Sequence, residues 1–257
     1  MLVAGIDIGS RSSKCVIMND DAVMGYYIQD TGTGGSAVAY SAFDGVLKKT
    51  NLLRSDISYI IATGYGRVSV PFADENISEI SCHAKGCNYL FPTVRTILDM
   101  GGQDCKGINI DEKGKVIDFI MNEKCAAGTG RFLELMGTIL GVPLDEIGKL
   151  ALKSTKKLAV AAVCVLYVKS IALTLFKKGE AKADILAATH ESLSNRTVTF
   201  LKKISMVKDF AITGGIGKNV AIVTMVGEKL GLEPLVPPEP AIVGALGAAI
   251  FALQKDK

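Results

Sequence analysis

Two largely apolar runs, at residues 2–8 and 94–100, each end in a glycine-containing turn and are each followed by a shorter stretch, Cys15-Val-Ile-Met and Gly107-Ile-Asn-Ile. Such runs predict strand, tight turn, strand. A third strand is predicted in each case, at 22–28 and 116–121, after which the apolar spacing becomes helical, at 37–48 and 126–140. The order β-β-β-α therefore occurs twice. Further helices are predicted over 77–90 and 184–204. The stretch 158–176 is interrupted by Lys169, Ser170 and Thr174, which leaves 11 uninterrupted apolar residues. A membrane span needs about 20, so a core helix is predicted there.

Laid over itself, the chain places Asp7, Gly9 and Lys14 on Asp99, Gly101 and Lys106, an offset of 92 residues. A second pair of turns, Thr63-Gly64-Tyr-Gly66 and Thr213-Gly214-Gly215-Ile216-Gly217, matches at an offset of 150. The difference of 58 residues marks an insertion in the second half, where Cys125, Cys164 and several helices fall. Pro92 breaks the predicted helix ahead of the second aspartate-bearing strand and is the expected boundary. The expected domains are 1–92 and 93–257, with the C-terminal helix free to pack back on the first. The class is α/β, two domains related by internal duplication with a helical insertion in the second.

An aspartate at the end of a buried strand, followed by glycine and a small polar residue, sets a carboxylate beside backbone N–H groups that a phosphate can approach unobstructed. Two such loops make a clamp. Mg²⁺ takes oxygen ligands and keeps several waters, so Asp7 and Asp99 are expected to hold it through water. Gly9, Ser10, Ser12, Gly101 and Gly102 are expected to meet phosphate oxygens, with Lys14 adding charge from the side. Arg11 either adds a phosphate contact or faces solvent. Gln103 or Asp104, after the second glycine pair, is placed to orient a water attacking a γ-phosphate, Gln103 being the preferred one. Thr213, Gly214, Gly215 and Ile216, ahead of a helix expected at Gly217-Lys218-Asn219, offer bare backbone to an adenosine. Gly128, Thr129 and Gly130, another small-residue turn ahead of a helix, join the nucleotide contacts. Neither a Walker A motif nor a dinucleotide G-x-G-x-x-G occurs.

Composition narrows the partners. Over 257 residues, 49% hydrophobic content suffices for a core in each of one or two domains. A net charge of +3, scattered along the chain, points to no nucleic acid and no membrane surface. The opening Met1-Leu2-Val3-Ala4-Gly5 runs straight into Asp7, which is unlike a secretory signal, so a cytoplasmic protein is expected. Six cysteines then read as buried thiols, redox groups or metal ligands rather than a disulfide framework.

Cys125 stands at or near the start of an apolar-periodic helix, where the helix dipole favours a thiolate. Cys164 follows 39 residues later in apolar surroundings. From physics alone a structural role for both is the simpler reading. Four thiolates are the usual ligand set of a four-iron cluster, so two per chain would suffice only for two identical chains on a two-fold axis.

The loops resemble those of the actin, sugar-kinase and heat-shock-chaperone ATPase superfamily over the whole chain, which implies two ribonuclease H-like (actin-like ATPase) domains closing on ATP. Asn122-Glu-Lys-Cys125-Ala-Ala-Gly128-Thr-Gly130-Arg131-Phe132, with Asp99-Met-Gly-Gly-Gln-Asp104, Ala62-Thr-Gly-Tyr-Gly-Arg67, Ser78-Glu-Ile-Ser-Cys-His-Ala84 and Gly244-Ala-Leu-Gly-Ala-Ala249, closely resembles the activators of 2-hydroxyacyl-CoA dehydratases, the BadF/BadG/BcrA/BcrD-type ATPases. The resemblance implies a homodimer with one [4Fe–4S] cluster held by Cys125 and Cys164 of each chain. It also implies ATP/ADP and Mg²⁺ as further cofactors, a ferredoxin or flavodoxin as electron source, and an iron–sulfur dehydratase or benzoyl-CoA-reductase-like enzyme as acceptor. The chain departs from the family after Cys164, where Val165-Leu-Tyr167-Val-Lys169-Ser-Ile171 stands in place of Thr-Val-Phe-Ala-Glu-Ser-Glu, and at Arg11, where a small hydroxyl residue is usual.

Two rivals use the same scaffold: a small-molecule kinase, which needs a base for an acceptor hydroxyl, and a non-catalytic nucleotide-binding assembly protein. Cys82, His83 and Cys87 are set aside as a metal site, because a spacing of five along a helix puts the thiols on different faces. Cys15 and Cys105 are expected to be buried thiols, and His190 a packing or surface residue.

Overall fold

Strands β1 (Leu2–Ile8), β2 (Ser12–Asn19) and β3 (Ala22–Asp30) form an antiparallel meander. β1 also runs parallel to β4 (Tyr59–Thr63), and β4 to the short β5 (Glu75–Asn76), giving the order β3-β2-β1-β4-β5. The computed structural model describes residues 1–20, 22–122, 129–160 and 165–255. Cys125, Gly128 and Cys164 lie outside these.

β1 is apolar on both faces because both are covered. Ala4, Ile6 and Ile8 meet Ala39, Phe43 and Val46 of helix α1 (Ser36–Thr50), while Val3 joins Ala245, Leu246 and Ala249 of the last helix.

The second sheet repeats the first. β6 (Thr96–Met100) is antiparallel to β7 (Cys105–Ile110), and β7 to β8 (Val116–Asn122); β6 is parallel to β9 (Phe210–Thr213), in the order β8-β7-β6-β9. The registers coincide as well. Asp7 is opposite Lys14 and Thr63, and Asp99 is opposite Lys106 and Thr213. Both offsets read from the sequence are therefore structural equivalences.

Helix α2 (Glu79–Leu90), capped by Ser78 whose Oγ accepts from Ser81 N at 3.1 Å, lies between the sheets. Its Cys82 belongs to the first sheet's core, while Ala84 and Cys87 join Ile97 and Ile108 of the second. Burial pushes the thiols of Cys82 and Cys87 up to about 12.

Between β8 and β9 run α3 (Gly130–Leu140), α4 (Leu144–Ala151), α5 (Val165–Lys177) and α6 (Lys182–Leu201). They build a second core in which Phe132, Met136, Leu193 and Leu201 meet Leu98, Met100 and Phe210. The single helix expected over 158–176 is corrected at its start: residues 158–160 are not helical, and the described helix is Val165–Lys177. Further upstream, the Asp184 carboxylate fixes residues 154–156 in a non-helical path by accepting from Ser154 Oγ at 2.8 Å and from the N–H groups of Thr155 and Lys156 at 2.9 and 3.0 Å. His190 packs inside, with Nδ1 2.8 Å from Leu186 O and Nε2 3.0 Å from Asn219 Nδ2, and burial lowers it to about 4.

The helix expected at Gly217 also starts later. Gly215–Lys218 is a 3-10 turn, and α7 (Val220–Leu230) begins after Asn219, whose side chain accepts from Ile222 N at 3.1 Å. The chain ends in α8 (Val243–Leu253), which returns to the first sheet and crosses α2. A Cβ at Gly247 would stand 1.8 Å from Cys82 O, and one at Gly86 2.3 Å from Val243 O, so backbone touches backbone there. Among the described residues no helix is long and apolar enough to cross a membrane.

Candidate nucleotide site

Between the sheets opens a cleft of about 1180 Å³, lined from both halves of the chain. Each half contributes the same construction. At the end of β1, the nearly buried Asp7 meets Lys14 Nζ at 3.3 Å, and the turn closes by Gly9 N donating to Ser12 O at 3.2 Å. At the end of β6, Asp99 meets Lys106 Nζ at 3.5 Å, and Gly101 N donates to Asp104 O at 3.0 Å. Residues 64 and 214 are glycine for two reasons. Their φ angles are +86° and +78°, and a Cβ would stand 2.3 Å from Asp7 Oδ1 and 2.5 Å from Asp99 Oδ1 respectively.

The second copy carries more charge. Lys106 Nζ lies 2.5 Å from Asp104 Oδ2 and 3.1 Å from Glu79 Oε1 in addition to Asp99. Burial works against the Lys106 ammonium, but the three carboxylates outweigh it and raise its pKa. Burial likewise works against the Asp99 carboxylate, and His83, Lys106 and Lys14 together hold it below the usual carboxylate range. Lys14 belongs to the other sheet, so the two loops act on each other electrostatically.

The predicted residues Gly9, Ser10, Arg11, Ser12 and Lys14 come together with Gly101, Gly102, Gln103 and Asp104 on the cleft wall, and Gly130, Gly214, Gly215 and Ile216 line it as well. Thr129 is buried ahead of α3, and Thr213 is buried beneath the cleft. Asp104 is engaged by Lys106, while Gln103 is exposed at the rim. Arg11 neither faces solvent alone nor meets only its own loop, because its Nε donates to Glu134 Oε1 on α3 at 2.7 Å.

Glu79 and His83 line the cleft as well, although the sequence reading quoted them only within the Ser78–Ala84 motif and set His83 aside as a metal ligand. They lie one helical turn apart on α2, a spacing that puts both on one face and is the signal that was available. His83 Nε2 lies 3.6 Å from Asp99 Oδ2.

Two equivalent sheets closing on one cleft through paired aspartate-and-glycine loops define an α/β protein of the actin-like ATPase fold. The chain belongs to the BadF/BadG/BcrA/BcrD ATPase family, whose model matches residues 4–252. It is 42% identical over 256 residues to the activator of lactoyl-CoA dehydratase of Anaerotignum propionicum, covering 99% of this chain and 98% of that protein. The crystal structure of component A of the Acidaminococcus fermentans (R)-2-hydroxyglutaryl-CoA dehydratase superposes with a TM-score of 0.95 at 38% identity, covering 99% of this chain and 98% of the other. The activator of the 2-hydroxyisocaproyl-CoA dehydratase from Clostridium difficile, with bound ADPNP, gives 0.95 at 35%, covering 99% and 95%.

Proposed function

We propose that this protein is an ATP-driven activator of a 2-hydroxyacyl-CoA dehydratase, a homodimer that passes a low-potential electron from a ferredoxin or flavodoxin to the partner's iron–sulfur centre. The carrying observation is the duplicated aspartate–lysine–glycine clamp facing one cleft, in a chain 42% identical to a lactoyl-CoA dehydratase activator.

The donor set suits Mg²⁺. Asp7 and Asp99 present carboxylate oxygens to the cleft, and a Cβ at position 9 would intrude 4.0 Å from Asp7 Oδ1 and 3.2 Å from Lys14 Nζ, space that glycine leaves open. The two aspartates would hold the ion, through water, and it would supply positive charge against the phosphates. Ser10, Ser12, Gly101 and Gly102 meet phosphate oxygens, while Thr129 and Gly130 stand at the start of α3 beside them. Gln103 orients the attacking water, beside Asp104, and Thr213 to Ile216 receive the adenosine. Cys125 and Cys164 of each chain, both outside the described residues, would hold the shared [4Fe–4S] cluster, and it would supply one-electron chemistry. ATP must favour one dimer arrangement over the other for its hydrolysis to drive transfer.

Anaerobic purification followed by iron and sulfide analysis tests this. About four irons per dimer are expected, lost in Cys125→Ala. Iron-free protein that hydrolyses ATP and phosphorylates a small molecule would establish the kinase instead.

A further inference from the structure

Arg11 follows Ser10 in the first candidate phosphate loop, and the structure gives it a partner in the other half of the molecule. Its Nε donates to Glu134 Oε1 at 2.7 Å, and its Nη1 lies 3.6 Å from Asp30 Oδ2. Glu134 is on α3, whose start hangs on the second phosphate loop: Gly130 N donates to Gly101 O and Arg131 N to Gly102 O, both at 2.9 Å. The loops also touch directly, since a Cβ at Gly102 would stand 2.7 Å from Arg11 Cβ. α3 is thus tied to both loops, to one by backbone and to the other by the Arg11–Glu134 ion pair.

Arg11 lines the cleft, and its side chain keeps half of its exposure while paired. A guanidinium matches phosphate oxygens at least as well as a carboxylate, and each extra phosphate charge strengthens that competition. Glu134 would not be stranded by losing Arg11, because Arg131 Nη1 already lies 3.6 Å from its Oε2. Two kinds of anionic partner, Glu134 and a phosphate in the cleft, are therefore open to one cation.

Resting on the nucleotide reading above, we infer that Arg11 and Glu134 form a latch between the loops that the terminal phosphate of a bound nucleoside triphosphate releases. Arg11 then turns to the phosphate, Glu134 to Arg131, and α3 is freed from the first loop. A nucleoside diphosphate, one phosphate shorter, leaves the latch shut. Arg11 becomes a residue that distinguishes tri- from diphosphate in this chain.

The test is equilibrium binding of ADPNP and of ADP, each with Mg²⁺, to the anaerobically purified protein and to Glu134→Gln, Arg11→Ser and the double variant. Glu134→Gln should bind ADPNP about two- to fivefold more tightly, the range open to a partly exposed ion pair, with ADP unchanged. Arg11→Ser should weaken ADPNP selectively, and Glu134→Gln should add nothing in its background. An unchanged ADPNP-to-ADP ratio in Glu134→Gln, or an equal effect of Glu134→Gln with and without Arg11, overturns the latch while leaving the nucleotide site standing. Failure of the parent protein to bind either nucleotide overturns both.

Discussion

His83 and Thr213 join α2 to the end of β9 through a buried contact, Nδ1 to Oγ1 at 3.2 Å, which turns the opposite ring nitrogen toward Asp99. The imidazole also neighbours the other aspartate: a Cβ at Gly244 would stand 2.9 Å from His83 Nε2 and 3.3 Å from Asp7 Oδ2. One ring, oriented by a threonine, thus sits beneath both carboxylates of the clamp.

His83 Nε2, 3.6 Å from Asp99 Oδ2, is expected to orient that carboxylate. Replacement by Ala is expected to lower Mg²⁺-dependent ATP hydrolysis by about 10- to 100-fold, the usual cost of losing a group that orients a metal-binding carboxylate. Binding of ATP in the absence of divalent metal should change much less. Titrating Mg²⁺ against hydrolysis rate separates this from a general loss of structure, because a displaced Asp99 raises the Mg²⁺ concentration required and His83→Gln restores part of it.

Lys106 is surrounded by Glu79, Asp99 and Asp104. Removing it in Lys106→Met leaves three carboxylates facing one another, which is expected to cost about 3–5 kcal/mol. Denaturant titration at neutral pH measures the loss. It should shrink on mild acidification as the carboxylates take up protons, a recovery that lost packing alone would not give.

In the parent protein the pH dependence has the opposite sense. The Asp99 carboxyl is depressed below its ordinary value of 3.8, so its contribution is complete above that value and is lost as the pH falls through the lower folded value. Lys106 is raised above 10.5, so its contribution is complete below 10.5 and is lost only as the pH rises through the higher folded value. Unfolding free energy followed against pH should therefore show neither loss between about pH 5 and 9; the fall expected as the pH drops below 6.5 belongs to His190, whose buried ring is lowered to about 4.

Gly247→Ala is expected to destabilise the chain by at least about 2–3 kcal/mol, since the added methyl meets the Cys82 carbonyl and the backbone must give way. A thermal midpoint lowered by roughly 5–10 °C is the corresponding reading. Gly215→Ala, where an added Cβ meets nothing within 4 Å, is the control for stability.

Much of this was legible beforehand because β1 and β6 carry their own markers. Asp7 and Asp99, the glycines after them and the lysines opposite are repeated at one spacing, and the second spacing located the inserted helices. Asp184, by contrast, holds residues 154–156 out of a helix from nearly 30 positions away, a contact that hydropathy along 158–176 does not encode. Glu79 and His83 were given no place at the cleft because their meaning depends on where α2 lies, between two sheets that only the folded chain brings together. Arg11 stood out as a departure, yet its partner on α3 lies 123 positions away.

The crossing of α2 and α8 has a mechanical meaning. Helices normally interlock through side chains, and turning one against another forces ridges over ridges. Where Gly86 and Gly247 strip the ridges away, backbone lies directly on backbone, so the seat between the two helices has no room for a side chain at either position and sets how closely they approach.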